Sequence, residues 1–543
     1  MNETIKPKAE WLRFLLYGVF AVVLALYLFS CGKYMWETPA HRILFAPLAL
    51  AVTGLLFIWG MKKLAEKREY LLQGVLLLVS LAVYGLWGLC ARTEPVSDYR
   101  ILLEGARSVL DGSFPALSFD KTNYFYFYNY QIGYVLYLAG VMKLFGSGIV
   151  AVKAMEVLWM ALTNLLVYRI GRRMGSPLKG IAAAVIYTFL TFQIAGSSII
   201  NNQHVSAFFA ALALLLFIDR SSVWSRVGVG LSLAANYILR PSSILFLVGI
   251  LGFMLFQWLL HRLQDWKGFV RSLLCIGASF GIAVFSLNTA VVSAGLAPGP
   301  ITKGSATYFK FVLGIQETGL FGTLTESAER TQVYFDLEHL DFDYETYNRL
   351  CREYVLDRFC NDTEDTFRYI QEKMEAFTGM PDNQIQYVGE KIANTGIERF
   401  MTVVGYEQYL FLLSVSLIGC ILRLIPSDFQ RERRKEERRE CPGLFAVLFL
   451  LFWGAHIFIE TQTRYRYDQY LLLSLFAAPI VASACEGCWR IIAKRRHGGQ
   501  LAPKGLEETG EEKEPSTGSQ QQSPFGLAQP CAEAADISKK ESR

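Results

Sequence analysis

Long uninterrupted apolar runs, separated by short polar tracts, set the organisation of this chain. Twelve of them stand out, at about 13–31, 44–61, 71–90, 149–169, 180–197, 204–219, 227–239, 242–260, 270–293, 406–424, 443–459 and 469–486. Most are long enough to cross a hydrocarbon layer of roughly 30 Å as a helix, the form that satisfies its own backbone in lipid. The shortest run is 227–239. Composition points the same way: 52% of the 543 residues are hydrophobic and 19% charged, against about 45–50% and about 25% in ordinary soluble domains. The expected fold class is an all-α polytopic membrane protein with about twelve transmembrane helices.

Charge sets the direction of the spans, because Lys and Arg in short loops stay on the cytoplasmic side. Four basic residues lie in 62–70, four in 169–179, three in 261–271, seven in 422–440 and four in 487–497. The alternate connections hold two in 31–43 and none in 198–203. Both termini are therefore expected in the cytoplasm of a multi-pass cell-membrane protein. One more apolar stretch, Tyr128 to Phe145, would invert every later basic loop if it crossed. Parity and its tyrosines place it on the outer surface as an interfacial helix. Leu28-Phe29-Ser30-Cys31 faintly resembles a lipoprotein cleavage site, but Phe29 fits poorly there, and an uncleaved first span is the expectation.

The resulting domains are a transmembrane hairpin at 1–70, a core at 71–293 with an external loop at 91–147, and an external helical segment at 294–405. Transmembrane helices follow at 406–497, then a tail at 498–543 whose composition is that of disorder. The external segment carries eighteen acidic and ten basic residues. Within it Tyr347, Leu350, Cys351, Tyr354 and Val355 recur at helical spacing. Phe367, Ile370, Met374 and Phe377 do so again after Asn361-Asp362-Thr363. A small helical lid over the membrane face is expected. Whether Cys351 and Cys360 pair depends on geometry that spacing does not supply.

Candidate chemistry gathers at the outer edge. The turn Glu460-Thr461-Gln462-Thr463-Arg464-Tyr465-Arg466-Tyr467-Asp468 is dense in charge for a link between two spans. A solvated connector is one reading of it. The other is an anion site, because arginine presents a planar fork of donors suited to phosphate and stays charged. Arg240, followed by Pro241, ends a short span on the same side. After the third span comes Ser97-Asp98-Tyr99, where Asp98 either caps the following helix or serves as a general base on an acceptor hydroxyl. No cluster of metal-ligating residues and no glycine-rich phosphate loop is visible, so no cofactor is assigned. Nothing marks nucleic acid as a partner.

These pieces in this order resemble the GT-C membrane glycosyltransferases, nearest to the protein O-mannosyltransferase and aminoarabinose-transferase branch (glycosyltransferase family 39-like). Ser97-Asp98-Tyr99 is similar to the family's acidic motif. Tyr130-Gln131-Ile132-Gly133-Tyr134 through Leu144-Phe145-Gly146 looks like its second surface helix, and Arg172-Arg173-Met174-Gly175 like its basic inner turn. Tyr308 to Gly322 and Glu460-x-Gln462-x-Arg464-Tyr465 resemble external stretches of relatives. The chain departs from the pattern at Asn129, where relatives usually have proline, and at Ile200-Asn201-Asn202-Gln203-His204, where many carry an acid. The likeness covers about 71–486, and the first two spans look like an addition.

The resemblance implies an inverting transferase that takes a sugar from a polyprenyl-phosphate-linked donor in the bilayer to an acceptor glycan, lipid or protein at the outer face. Asp98 would be the base, with Arg464, Arg466 and Arg240 binding the donor phosphate and Glu460, Gln131, Tyr465 and His204 in support. A polymerase or ligase of lipid-linked glycans stays open as the alternative. A secondary transporter fits less well, because its polar groups would lie at mid-membrane between repeats.

Overall fold

The computed structural model describes residues 7–38, 54, 57–58, 60–66, 68–219, 222–260, 265–316, 337–388, 392–425 and 441–497. Among them every regular element is helical. The chain starts with α1 (Pro7–Glu37) and α2 (Glu69–Ala91), then α3 (Asp98–Asp111), α4 (Phe114–Ser118), α5 (Tyr124–Phe127) and α6 (Ile132–Phe145). Next come α7 (Ile149–Arg173), α8 (Pro177–Phe189), α9 (Thr191–Gly196), α10 (Asn202–Asp219), α11 (Val223–Leu239), α12 (Ile244–Leu260) and α13 (Trp266–Ser293). The segment α14 (Phe309–Gly314), α15 (Tyr344–Asn361) and α16 (Thr363–Gly379) precedes α17 (Gly396–Leu424), α18 (Cys441–Phe458) and α19 (Tyr467–His497). The chain divides into two units, Met1–Trp489 and Arg490–Arg543, and everything below concerns the first. The expected disordered tail at 498–543 lies outside the described residues.

Nine helices among the described residues are long and apolar enough to span a membrane, namely α1, α2, α7, α10, α12, α13, α17, α18 and α19. Three of the twelve expected spans account for the difference. The run 44–61 lies largely outside the described residues. The run 227–239 belongs to α11, which has 17 residues.

The run 180–197 is not one helix: it breaks at Leu190, whose backbone is extended, between α8 and α9. Such a break frees polar backbone groups, which must find partners away from lipid. Gln408 on α17 supplies both, accepting from the Thr191 N–H at 2.8 Å and donating to the Phe189 carbonyl at 2.8 Å. A hydropathy pattern cannot foresee a break that a side chain 217 residues away makes tolerable.

The helix ends expected to share a side do meet. Arg172, at the end of α7, pairs with Glu69 at the start of α2, and Arg173 pairs with Asp219 at the end of α10. At the opposite end of the bundle lie α3 to α6. The 14 residues of α6 rise about 21 Å, short of the roughly 30 Å needed to cross. Gly133 lets this helix lie against the end of α11, since a Cβ there would stand 2.1 Å from the Ile238 carbonyl oxygen. Gly133→Ala is expected to destabilise the protein by about 1–3 kcal/mol through overpacking, read as a lower thermal midpoint in detergent.

Helix α1 packs along α17, α16 and α18. Its Tyr27 hydroxyl donates to Gln469 at 3.2 Å, and its Cys31 carbonyl accepts from Tyr406 at 3.2 Å. The segment after 293 holds the two helices that its periodicity predicts. Tyr347 and Cys351 of α15 are buried with Val312, and Ile370 and Phe377 of α16 are buried too. Phe377 stacks on His456 with centroids 4.8 Å apart. Phe367 departs from the expected face, at 59% exposed. Cys351 and Cys360 are both free. They sit on one helix, nine residues and about 13 Å apart along its axis, beyond the reach of a disulfide.

Candidate active site at one end of the bundle

The site forms where α3, the loop into α6, the α14 segment and the turn before α19 converge. Asp98 opens α3, at the positive end of the helix dipole. Ser97, the residue before it, takes φ 51° and ψ −135° and makes no side-chain cap. A non-glycine residue in that region stores about 1–3 kcal/mol of strain, held in place by surrounding structure. Among the described residues the Asp98 side chain makes no hydrogen bond or salt bridge, so the capping role is not taken up.

The Asp98 charge acts on Tyr99, Tyr124 and Tyr128, adding to the burial that raises all three phenols, with Tyr99 pushed up to about 12. Its field also reaches Arg464.

Arg464 is 8% exposed. Its Nη1 donates to the Tyr99 hydroxyl at 2.6 Å, and its guanidinium lies 4.5 Å from the Tyr387 ring and 5.8 Å from Tyr465. Its backbone is fixed as well: the N–H donates to Asn383 at 3.1 Å, and the carbonyl accepts from Gln203 at 3.1 Å. Tyr465 is shared, since Arg240 stands 6.0 Å from the same ring. Arg240 faces Asp468 at 3.5 Å.

A third cation, Lys310 on α14, pairs with Glu460 and lies 5.5 Å from the Tyr128 ring. Burial acts to lower the Lys310 pKa, but Tyr130, Tyr465, Glu460 and Tyr128 outweigh it and hold the ammonium charged. Glu460 is also met by Gln462 at 3.1 Å. Gln131 borders the group, accepting from Asn202 at 3.4 Å beside the Leu239 carbonyl.

Of the residues singled out in the sequence, Asp98, Arg464, Arg240, Tyr465, Glu460 and Gln131 thus come to one end of the bundle. Two do not join them. Arg466 is fully buried, with Nε donating to the Thr463 carbonyl at 3.0 Å, Nη2 donating to the Met380 carbonyl at 2.8 Å, and its guanidinium 4.4 Å from Tyr409. Beside it burial pushes Asp382 up to about 6, against the pull of the Arg466 charge. Arg466 therefore pins the turn to the 380s loop and does not face the group around Arg464. His204 points into the bundle, 2.8 Å from Glu156, which accepts from Tyr134 at 2.6 Å.

Tyr99, Lys310, Tyr128 and Glu156 are the residues that sequence reasoning passed over. Lys310 lies within the stretch noted for its likeness, and Glu156 is a lone acid inside an apolar run, which is a functional signal in membrane helices. Among the described residues no three His, Cys, Asp or Glu side chains come together as a metal site.

The balance of charge decides which cation is available to a ligand. Arg240 faces Asp468 and Lys310 faces Glu460. Arg464 bonds a neutral phenol, and among the described residues no carboxylate forms a salt bridge with it. A buried charge without a counter-ion is costly. An anion entering beside Asp98 would supply one.

Residues 132–286 match the family described as dolichyl-phosphate-mannose-protein mannosyltransferase. Two of the stretches that carry the resemblance, the helix ending at Leu144-Phe145-Gly146 and the turn Arg172-Arg173-Met174-Gly175, fall in this range. No curated protein matches the chain. Among solved structures the chain is similar to the archaeal oligosaccharyltransferase AglB from Archaeoglobus fulgidus, solved in complex with an inhibitory peptide and a dolichol-phosphate. The identity is 12% and the TM-score 0.37, over 69% of this chain and 44% of that one. The chain spans less than half the length of that protein.

Proposed function

We propose that this multi-pass membrane protein is a glycosyltransferase, moving a sugar from a polyprenyl-phosphate-linked donor to an acceptor hydroxyl at the outer face of the membrane. The carrying observation is a buried arginine, Arg464, that among the described residues has no salt bridge to a carboxylate, in the field of a carboxylate, Asp98, that among them has no side-chain hydrogen bond. The family matched by residues 132–286 is described by a lipid-phosphate sugar of this type, which supports the same reading.

In this reading the acceptor oxygen gives its proton to Asp98 and bonds to the anomeric carbon. The bond from that carbon to the phosphate oxygen breaks on the opposite face, so configuration inverts. The electron pair leaves on the lipid phosphate, where Arg464 stabilises it through two parallel donors. Lys310 and Arg240 raise the local positive potential, each moderated by its acidic partner. Glu460 orients Lys310. Tyr128 and Tyr130 offer ring faces of the kind on which a sugar packs. Arg466 and His204 shape the scaffold behind the site.

The protein in lipid vesicles, given a labelled polyprenyl-phosphate sugar, should release polyprenyl phosphate and label an acceptor with inverted configuration. A nucleotide sugar supplied alone should label nothing. Transfer from the nucleotide sugar in the absence of any lipid donor would overturn the proposal.

A further inference from the structure

The lid helix α16 carries a lysine, Lys373, on the face that it buries. It is 3% exposed, and among the described residues it has no acidic partner. Its ammonium instead donates to three backbone carbonyls, those of Gly314 at 2.5 Å, Ile457 at 2.9 Å and Ile459 at 3.0 Å. These belong to two helix ends, the last residue of α14 and the C-terminus of α18, where carbonyls lack intrahelical partners and the dipole is negative. Burial pulls the Lys373 pKa down to about 7, and the three carbonyls favour the ammonium against that pull.

Both strands held at this point lead directly into the site. Lys310 lies one helical turn before Gly314 on α14. Glu460 follows Ile459, and its N–H donates to the Lys310 carbonyl at 2.9 Å. The approach is close enough that a Cβ on Gly314 would stand 2.3 Å from the Phe458 carbonyl oxygen.

We infer that Lys373 is a positioning residue: its ammonium clasps α14 to the end of α18 and so sets the Lys310–Glu460 pair where the donor phosphate binds. This rests on the donor-site reading above. A lysine suits the task because it is compact and offers three rotatable donors, one for each carbonyl.

The test is a double-mutant cycle on the full chain in lipid nanodiscs, read as the Kd for a polyprenyl phosphate and therefore independent of turnover. Lys310→Met is expected to raise Kd roughly tenfold or more, because it removes a positive charge and leaves buried Glu460 unpaired beside the phosphate. Lys373→Met should raise it by a similar factor, and the double variant no further than about threefold beyond either, because the two residues act as one unit. Should Lys373→Met not accumulate in membranes, Lys373→Leu, which also removes every donor, takes its place in the cycle. If Lys310→Met weakens binding while the Lys373 variant does not, or if their factors multiply, the clasp is overturned and the donor-site reading stands. A parent protein that binds no polyprenyl phosphate, or a Lys310→Met protein that binds it as the parent does, sinks that reading at Lys310 and the clasp with it.

Discussion

Asp98→Asn is expected to insert and fold as the parent protein does, to bind the lipid donor with little change, and to lose about 10²–10⁴-fold in turnover. The amide matches the carboxylate in size, but it cannot take a proton from the attacking hydroxyl. The structure makes this a clean substitution, since among the described residues the Asp98 side chain has no hydrogen bond or salt bridge to lose and Ser97 holds the N-cap position. The strained backbone at Ser97 also stays as it is, so the amide stands where the carboxylate stood. The check is initial rate in vesicles at matched protein content, alongside Kd for polyprenyl phosphate. An Asp98→Asn protein that transfers sugar at the parental rate would remove Asp98 from the chemistry.

Arg464→Lys is expected to fail differently, with weaker donor binding and a turnover lower by about 10²-fold. The charge survives, while the planar fork that reaches a phosphate with two parallel bonds does not. An ammonium also gives up the guanidinium's flat packing on Tyr387 and Tyr99, at 4.5 and 5.4 Å, which is worth about 0.5–2 kcal/mol. Both Kd for polyprenyl phosphate and turnover should therefore move, whereas Asp98→Asn moves turnover alone. If Arg464→Lys binds the lipid phosphate as tightly as the parent, the phosphate is held elsewhere, and Lys310 and Arg240 become the principal ligands.

Much of this arrangement was legible in the residue pattern, and the limits of that reading have physical causes. Long apolar runs declare helices because the bilayer admits few other forms, so nine of the expected spans appear among the described residues. The density of charge around Arg464 was visible as an anomaly. Its partners were not, because Tyr99 lies 365 positions away and reaches it only once α3 has docked. Arg464 and Arg466 look alike in sequence, two residues apart in one turn. A short 3-10 helix over Thr463–Arg466 turns the first toward Tyr99 and the second toward the Met380 carbonyl. Lys310 and Lys373 carried no periodic signal, since each takes its meaning from chain ends that meet only in the fold.

The sequence by itself determined what the solvent dictates, that the chain is a bundle of membrane helices, and it set the expectation that the basic loops share one side and the polar chemistry collects at the other. Those properties follow from transfer of apolar and charged groups between water and lipid, which is local in the chain and additive along it. Only the tertiary structure decided which charges neutralise one another and which remain available. Pairing depends on distances of a few ångströms between residues hundreds of positions apart, and no residue pattern encodes those directly. Arg240 with Asp468 and Lys310 with Glu460 are such pairs, and among the described residues they leave Arg464, in the field of Asp98, with no carboxylate bound to it.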